Sequence, residues 1–214
     1  MNFLTSWSGG KDSCYAMMKA IENNHIPQVL FNMMNENGKI SRSHGLPLTI
    51  LKQQADQMNL PLEAVPATWD DYERKYVDHL KKFKNKYQLD AAVFGDIDLQ
   101  AHKDWEDKVC KLANITAILP LWQQDRIVLV NEMIAARIET MIVSCNEEMG
   151  ENYLGRILTK ELALELERRG IDPCGENGEF HTLVINCPLF QNAIILPSFT
   201  KIKHNHYYFL NWNT

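Results

Sequence analysis

The chain predicts an α/β protein: a parallel sheet with flanking helices, followed by a smaller α+β portion. Three observations carry this expectation. Strand-like and helix-like stretches alternate through the first half of the sequence, the pattern of strand–helix–strand crossovers. The first strand runs straight into a glycine turn and a helix. The second strand, with Val29, Leu30, Phe31, Met33 and Met34, is apolar on both faces, as strands held between two helical layers are.

Each element has its own signal. Residues 2–7 are short and β-prone. A helix pattern follows over 12–23, with Tyr15, Met18 and Ile21 on one face and Asp12 or Ser13 placed to cap it. The second strand covers 27–34 and leads to a turn at Asn35, Glu36, Asn37 and Gly38. Pro47 opens a helix carrying Leu48, Leu51, Ala55 and Met58. Residues 62–66 form a short strand, 70–87 a Lys-rich amphipathic helix, and 91–95 a buried strand ending in glycine. A helix over 105–112 and a strand over 116–118 complete the sheet portion.

Beyond a soft boundary at 120–125 the texture changes, giving an expected division into 1–122 and 123–214. Helices are predicted over 126–138 and 159–169, the second stopped by Gly170 and Pro173. Strands are predicted over 140–145, 182–186, 193–196 and 207–210. Trp69, Trp105 and Trp122 are expected to pack helix against sheet, and Lys81, Lys82, Lys84 and Lys86 to form a solvated helix face.

Composition excludes several classes. Hydrophobic residues are 45% and charged residues 23% of the 214, enough apolar content to bury a core and too much for a disordered chain. No apolar run approaches the ~18 residues of a membrane span, and Met1-Asn2-Phe3-Leu4-Thr5 does not begin a signal peptide. A net charge of −5 argues against a broad nucleic-acid surface, so neither nucleic acid nor membrane is an expected partner. Cys14, Cys110, Cys145, Cys174 and Cys187 contain no CxxC pair, which points to reduced thiols in a cytoplasmic protein. Oligomeric state leaves no mark in the sequence.

Two stretches carry chemistry. Ser8, Gly9, Gly10, Lys11, Asp12 and Ser13 lie between a strand and a helix. Backbone amides of such a turn, at the positive end of a helix, make an anion site; two hydroxyls and an ammonium strengthen it. A di- or triphosphate is the natural ligand. The adjacent glycines, with Lys11 directly after them, match neither GxxxxGK[ST] nor GxGxxG. Far along the chain, Asp172, Pro173, Cys174, Gly175, Glu176, Asn177, Gly178, Glu179, Phe180, His181 and Thr182 concentrate carboxylates, an imidazole and glycines before an apolar strand. On residue types alone this is as readily a solvated turn as a ligand loop.

SGGKDS at residues 8–13 resembles the PP-loop of the ATP pyrophosphatases, which cleave ATP between the α and β phosphates. The string GENGEFHT at 175–182 resembles a signature of the diphthine–ammonia ligase family within that superfamily, and the resemblance spans almost the whole chain. It implies an adenine-nucleotide α-hydrolase-like sheet, ATP with Mg²⁺, adenylation of a carboxylate, release of pyrophosphate and amide formation with ammonia. In the best-known members the acceptor is diphthine, a modified histidine on elongation factor 2. It also implies nucleotide binding by residues 8–13 with Arg42 and His44, from the stretch Ser41, Arg42, Ser43, His44 and Gly45. Metal binding would fall to Asp12 and Asp96, and catalysis to Lys11, Asp96, Glu176, Glu179 and His181. In that scheme His181 acts as a base toward ammonium, while Glu176 or Glu179 positions it. Asp96 and Asp98 follow a buried strand at the end where open α/β sheets bind ligands; each could equally cap the next helix.

The stretch from Gly95 to Trp105 departs from the family's small residue and Tyr-Gln pair, which leaves a different, small-molecule carboxylate as an alternative acceptor. A non-catalytic ATP-binding sensor is the alternative from another class; it would leave Glu176, Glu179 and His181 without a chemical task. A sulfur-inserting tRNA enzyme would need cysteine pairs and a basic surface that this chain lacks. His204, Asn205 and His206 spell a nuclease-like string of too little information, and read as surface residues.

Overall fold

The computed structural model describes residues 1–42 and 44–213; Ser43, part of the stretch singled out after the second strand, lies outside the described residues. The chain runs β1 (Asn2–Ser6), α1 (Lys11–Glu22), β2 (Ile26–Met34), α2 (Leu48–Gln57), β3 (Leu62–Pro66), α3 (Tyr72–Tyr87), β4 (Ala91–Val93), α4 (Gln100–Ala113) and β5 (Thr116–Ile118). It continues through α5 (Arg126–Ala135), β6 (Glu139–Asn146), a 3₁₀ turn at Glu151–Tyr153, α6 (Lys160–Arg168), β7 (Phe180–Asn186), β8 (Phe199–His204) and β9 (Tyr207–Trp212).

The first five strands form one parallel sheet in the order β3-β2-β1-β4-β5. Alternation along each strand explains its two helical layers. Phe3, Leu30, Ala91 and Val93 face one core, which includes Cys14, Met17 and Leu51. Leu4, Val29, Phe31 and Ala92 face the other, with Tyr76, Leu80, Phe83 and Val109. The chain reverses direction across the sheet between β1 and β4, the switch point at whose carboxyl end ligands bind.

The last four strands form an antiparallel sheet, β7-β6-β9-β8. Its apolar face is not a separate core: Ile142, Cys145, Leu183, Val184 and Trp212 join the cluster that holds Phe3 and Met17. The two portions therefore fold against each other. Among the described residues no helix is long and apolar enough to cross a membrane.

Several expectations are corrected. The N-cap of α1 is Gly10, extended at φ −96° and ψ 178°; Asp12 and Ser13 lie inside the first turn, because the chain turns one residue earlier than a side-chain cap requires. Helix α4 begins at Gln100 rather than 105, and Asp98 does not cap it. Helix α5 ends at Ala135, where Arg137 turns left-handed at φ 61°. Residues 193–196 are not a strand: Ile194 donates one backbone bond to Ile185, and the true strand is the exposed β8, whose lysines hid it from an apolar-pattern search. Trp69 does not pack in the core but is 72% exposed, and the fully buried indole is that of Trp7.

Candidate active site

The turn at Ser8–Ser13 is shaped by what packs behind it. Gly9 has φ +86°, and a Cβ there would lie 2.7 Å from Leu46, so the position excludes a side chain twice over. Gly95, at the end of β4, approaches so closely that a Cβ would sit 2.7 Å from the backbone of Asp12 and Ser13. The start of α1 is thereby seated on the carboxyl end of the sheet. Gln54 of α2 holds the turn from below: its amide donates to Gly9 O at 3.0 Å and to Val184 O at 2.8 Å, and its oxygen accepts from Trp7 Nε1 at 2.9 Å.

Strand β7 clamps the same turn from above. Lys11 N donates to Thr182 Oγ1 at 3.1 Å, Val184 N donates to Gly9 O at 2.9 Å, and His44 Nδ1 lies 2.7 Å from Thr182 O. The Lys11 ammonium is buried at 3% exposure and donates to both Asp12 oxygens, at 2.9 and 2.8 Å, and to Cys174 O at 2.5 Å. Burial alone would lower its pKa; the negative surroundings of Asp12, Cys174 and Glu176 outweigh this and raise it.

A cavity of about 580 Å³ opens between the sheet end and the 174–182 loop. Ser8, Lys11, Asp12, Ser13, His44, Asp96, Glu176 and His181 all line it, so the two sequence motifs meet in one site. Gly9 and Gly10 shape the turn behind it. Two of the predicted residues stand apart. The Arg42 guanidinium stacks over Trp69, 4.4 Å from its ring centre, and donates to Ala67 O. Glu179 ties its own loop, accepting from Asp172 N at 3.3 Å and Asn177 N at 3.0 Å.

Charge in the cavity is set by burial. The Glu176 carboxyl is pushed up to about 8, first by desolvation and then by Asp12, with Lys11 opposing. His44 and His181 pack ring on ring at 4.7 Å. Burial pulls them down to about 4 and about 3, with Lys11 adding to the effect in both, so both are neutral at pH 7. Asp96 Oδ1 lies 2.6 Å from His102 Nδ1 and its carboxylate faces that of Glu106. Glu106, 3% exposed, is raised to about 10 by desolvation and by Asp96.

Among the described residues no three His, Cys, Asp or Glu side chains converge to hold a metal ion. Asp12 and Asp96 do not share a site of their own making: one is held by Lys11, the other by His102 and Glu106. Asp12 at the phosphate turn still suits Mg²⁺ of the kind that arrives with a nucleotide, held by one carboxylate, phosphate oxygens and water.

Sequence reasoning missed Gln54, Glu106 and Arg126, and named Thr182 only as the end of the second motif. For two of them a signal was present. Gln54 and Glu106 are polar residues on the apolar stripes of α2 and α4, beside Ile50, Leu51 and Ala55, and Val109, Cys110 and Ala113. Arg126 carried none: it pairs with Asp98 through Nε and Nη2 at 2.8 and 2.7 Å, and reaches Asp172 at 2.6 Å and Asn177 at 3.1 Å through Nη1.

Residues 1–116 match the family model of the diphthamide synthase N-terminal domain, and residues 125–213 that of the diphthamide synthase C-terminal domain. Among curated relatives, a mouse protein named diphthine–ammonia ligase is 28% identical, the match covering 92% of this chain and 84% of the relative. A human protein of the same name is 29% identical with the same coverage. A solved archaeal chain from Methanocaldococcus jannaschii, described as a predicted subunit of tRNA methyltransferase, aligns at TM-score 0.43 and 16% identity over 91% of this chain and all of the other.

Proposed function

The chain belongs to the diphthamide synthase family, and from that premise we propose that it is an ATP-dependent amide ligase. The acceptor carboxylate attacks the α phosphorus of ATP, the bond to the bridging oxygen breaks and pyrophosphate leaves. Ammonia then attacks the adenylated carbonyl carbon, AMP leaves with the bonding pair, and the nitrogen loses a proton to give the amide.

One observation carries this reading. The glycine turn and the GENGEFHT loop, far apart in sequence, close on one cavity through the Lys11–Thr182 bond. A phosphate-binding turn alone would suit a nucleotide sensor; Glu176 and the neutral His181 in the same cavity give it groups for proton transfer. Lys11 and the amides of the turn face the β and γ phosphates and stabilise the leaving pyrophosphate. Asp12 would hold Mg²⁺ together with the phosphates, and the ion would supply charge neutralisation there. Glu176 accepts a proton during amide formation.

The named relatives take diphthine, and elongation factor 2 carrying it is one candidate acceptor. A different, small-molecule carboxylate is the second reading; Asp96, His102, Trp105 and Glu106, in the stretch that sets it apart in sequence, line the cavity.

Phosphorus NMR of ATP with the protein, Mg²⁺ and ammonium tests the reaction. Elongation factor 2 carrying diphthine and a small-molecule extract are added in turn. AMP and pyrophosphate are expected with one of them, and their loss by roughly 100-fold or more in Lys11→Ala. ADP and phosphate, or Lys11→Ala turning over unchanged, would overturn the mechanism.

A further inference from the structure

The wall of the cavity built by the end of β4 and by α4 holds two carboxyl groups with too few donors. Glu106 is buried on α4, and its Oε2 finds no hydrogen-bond donor among the described residues. The group that faces it is another carboxyl, that of Asp96, whose own donor is His102. Two facing acceptors need a hydrogen between them, supplied either by a bound proton or by a ligand that carries N–H bonds or positive charge. Both residues line the cavity, so a ligand can reach them.

The walls beside this pair suit a cation. Tyr72 lies 5.8 Å from Trp105 and 5.9 Å from Trp69, centre to centre, and all three rings line the cavity. Aromatic faces attract cations, most strongly where water is excluded. The protein already uses two of these faces in that way: the Arg42 guanidinium stands 4.4 Å from Trp69 and 5.9 Å from Tyr72.

We propose that Asp96 and Glu106, walled by Trp105, Tyr72 and Trp69, form a binding site for a cationic nitrogen. The same chemistry has two sources, free ammonium or an ammonium group on the carboxylate acceptor. In the ligase reading, on which only this choice of sources rests, the nitrogen is thereby held in the cavity that contains the phosphate turn. Binding itself requires no turnover.

The test measures binding to the full chain at constant ionic strength, using ¹⁵N-ammonium and tetramethylammonium as NMR probes and sodium as the competitor. Saturable binding of at least one probe is expected, not displaced by equimolar sodium. Glu106→Gln, which keeps the size but cannot give up a proton to balance a bound cation, and Trp105→Leu should each weaken it at least tenfold, while ATP affinity stays within twofold of the parent. Preference for ammonium assigns the nitrogen donor; preference for tetramethylammonium assigns the acceptor. Binding that does not saturate, or that both variants leave intact, overturns the proposal. Failure of ATP cleavage with cation binding preserved would sink the ligase reading alone, and ATP cleavage with unaltered binding in both variants would sink this site alone.

Discussion

Thr182 Oγ1 accepts a hydrogen bond from the backbone N–H of Lys11 at 3.1 Å, across 171 residues of sequence. The hydroxyl is buried and stands at the first turn of α1, where helical amides have no partner within the helix. It fixes the glycine turn to β7, the strand that follows the loop carrying Glu176, and in the proposed reaction this couples nucleotide binding to that loop. Thr182→Val leaves that amide unpaired and should lower stability by about 1–3 kcal/mol. It should also raise the KM for ATP, while Thr182→Ser restores both. Urea unfolding and steady-state AMP formation check this; a valine variant with unchanged KM would break the coupling.

Glu176 and Glu179 separate into two tasks although they lie three residues apart. Glu176 faces the cavity and keeps its proton up to about pH 8, whereas Glu179 bonds two amides of its own loop. Glu176→Gln should abolish the rise of kcat with pH near 8 and, because the buried carboxyl no longer has to hold a proton, should raise stability at neutral pH rather than lower it. Glu179→Gln should keep the pH profile and lose about 1–3 kcal/mol of stability. The reverse assignment of the two phenotypes would refute this division.

Arg126 joins three segments: Asp98 after β4, Asp172 before the second motif, and Asn177 within it. The carboxylate of Asp172 is buried and also accepts from Cys174 N and Glu176 N. Arg126→Lys cannot reproduce the planar fork on Asp98 while reaching Asp172. The loop should loosen, with kcat reduced about tenfold or more and faster amide exchange at 174–178. Exchange rates equal to those of the parent protein would count against this role.

Buried carboxyls and buried imidazoles give stability an unusual pH dependence. Glu176 and Glu106 hold protons to about 8 and about 10, where the unfolded chain releases them near 4.5. The folded state then binds more protons, so stability falls as pH rises through these windows. His44 and His181 work oppositely: they stay neutral down to about 4 and about 3, so stability is lost as pH falls below 6.5. Above pH 6.5 only the carboxyls act among these four groups. Melting temperature should decline from pH 6.5 to 9, and Glu106→Gln should flatten the decline by about 2–4 °C per kcal/mol recovered. A glutamine variant with the same slope would disprove it.

Much of this molecule is written locally. Short-range periodicity marked β1, β2, β3 and β5, because apolar alternation and glycine or proline punctuation act over a few residues. The glycine turn is equally local: adjacent glycines at a helix start free backbone amides of the kind that suit an anion. What failed locally was whatever depended on a partner. Strand β8 is polar and exists because β9 pairs with it, and Trp69 lies outside the core with Arg42 over its ring.

The sequence by itself determined the fold class and marked the glycine turn and the second motif. Tertiary structure alone decided that Thr182 clamps Lys11, that Glu176 rather than Glu179 enters the cavity, and that Glu106 meets Asp96. The reason is physical. Backbone propensity and apolar period are carried by neighbours in the chain, whereas burial and charge proximity, which set a carboxyl's proton, are carried by neighbours in space.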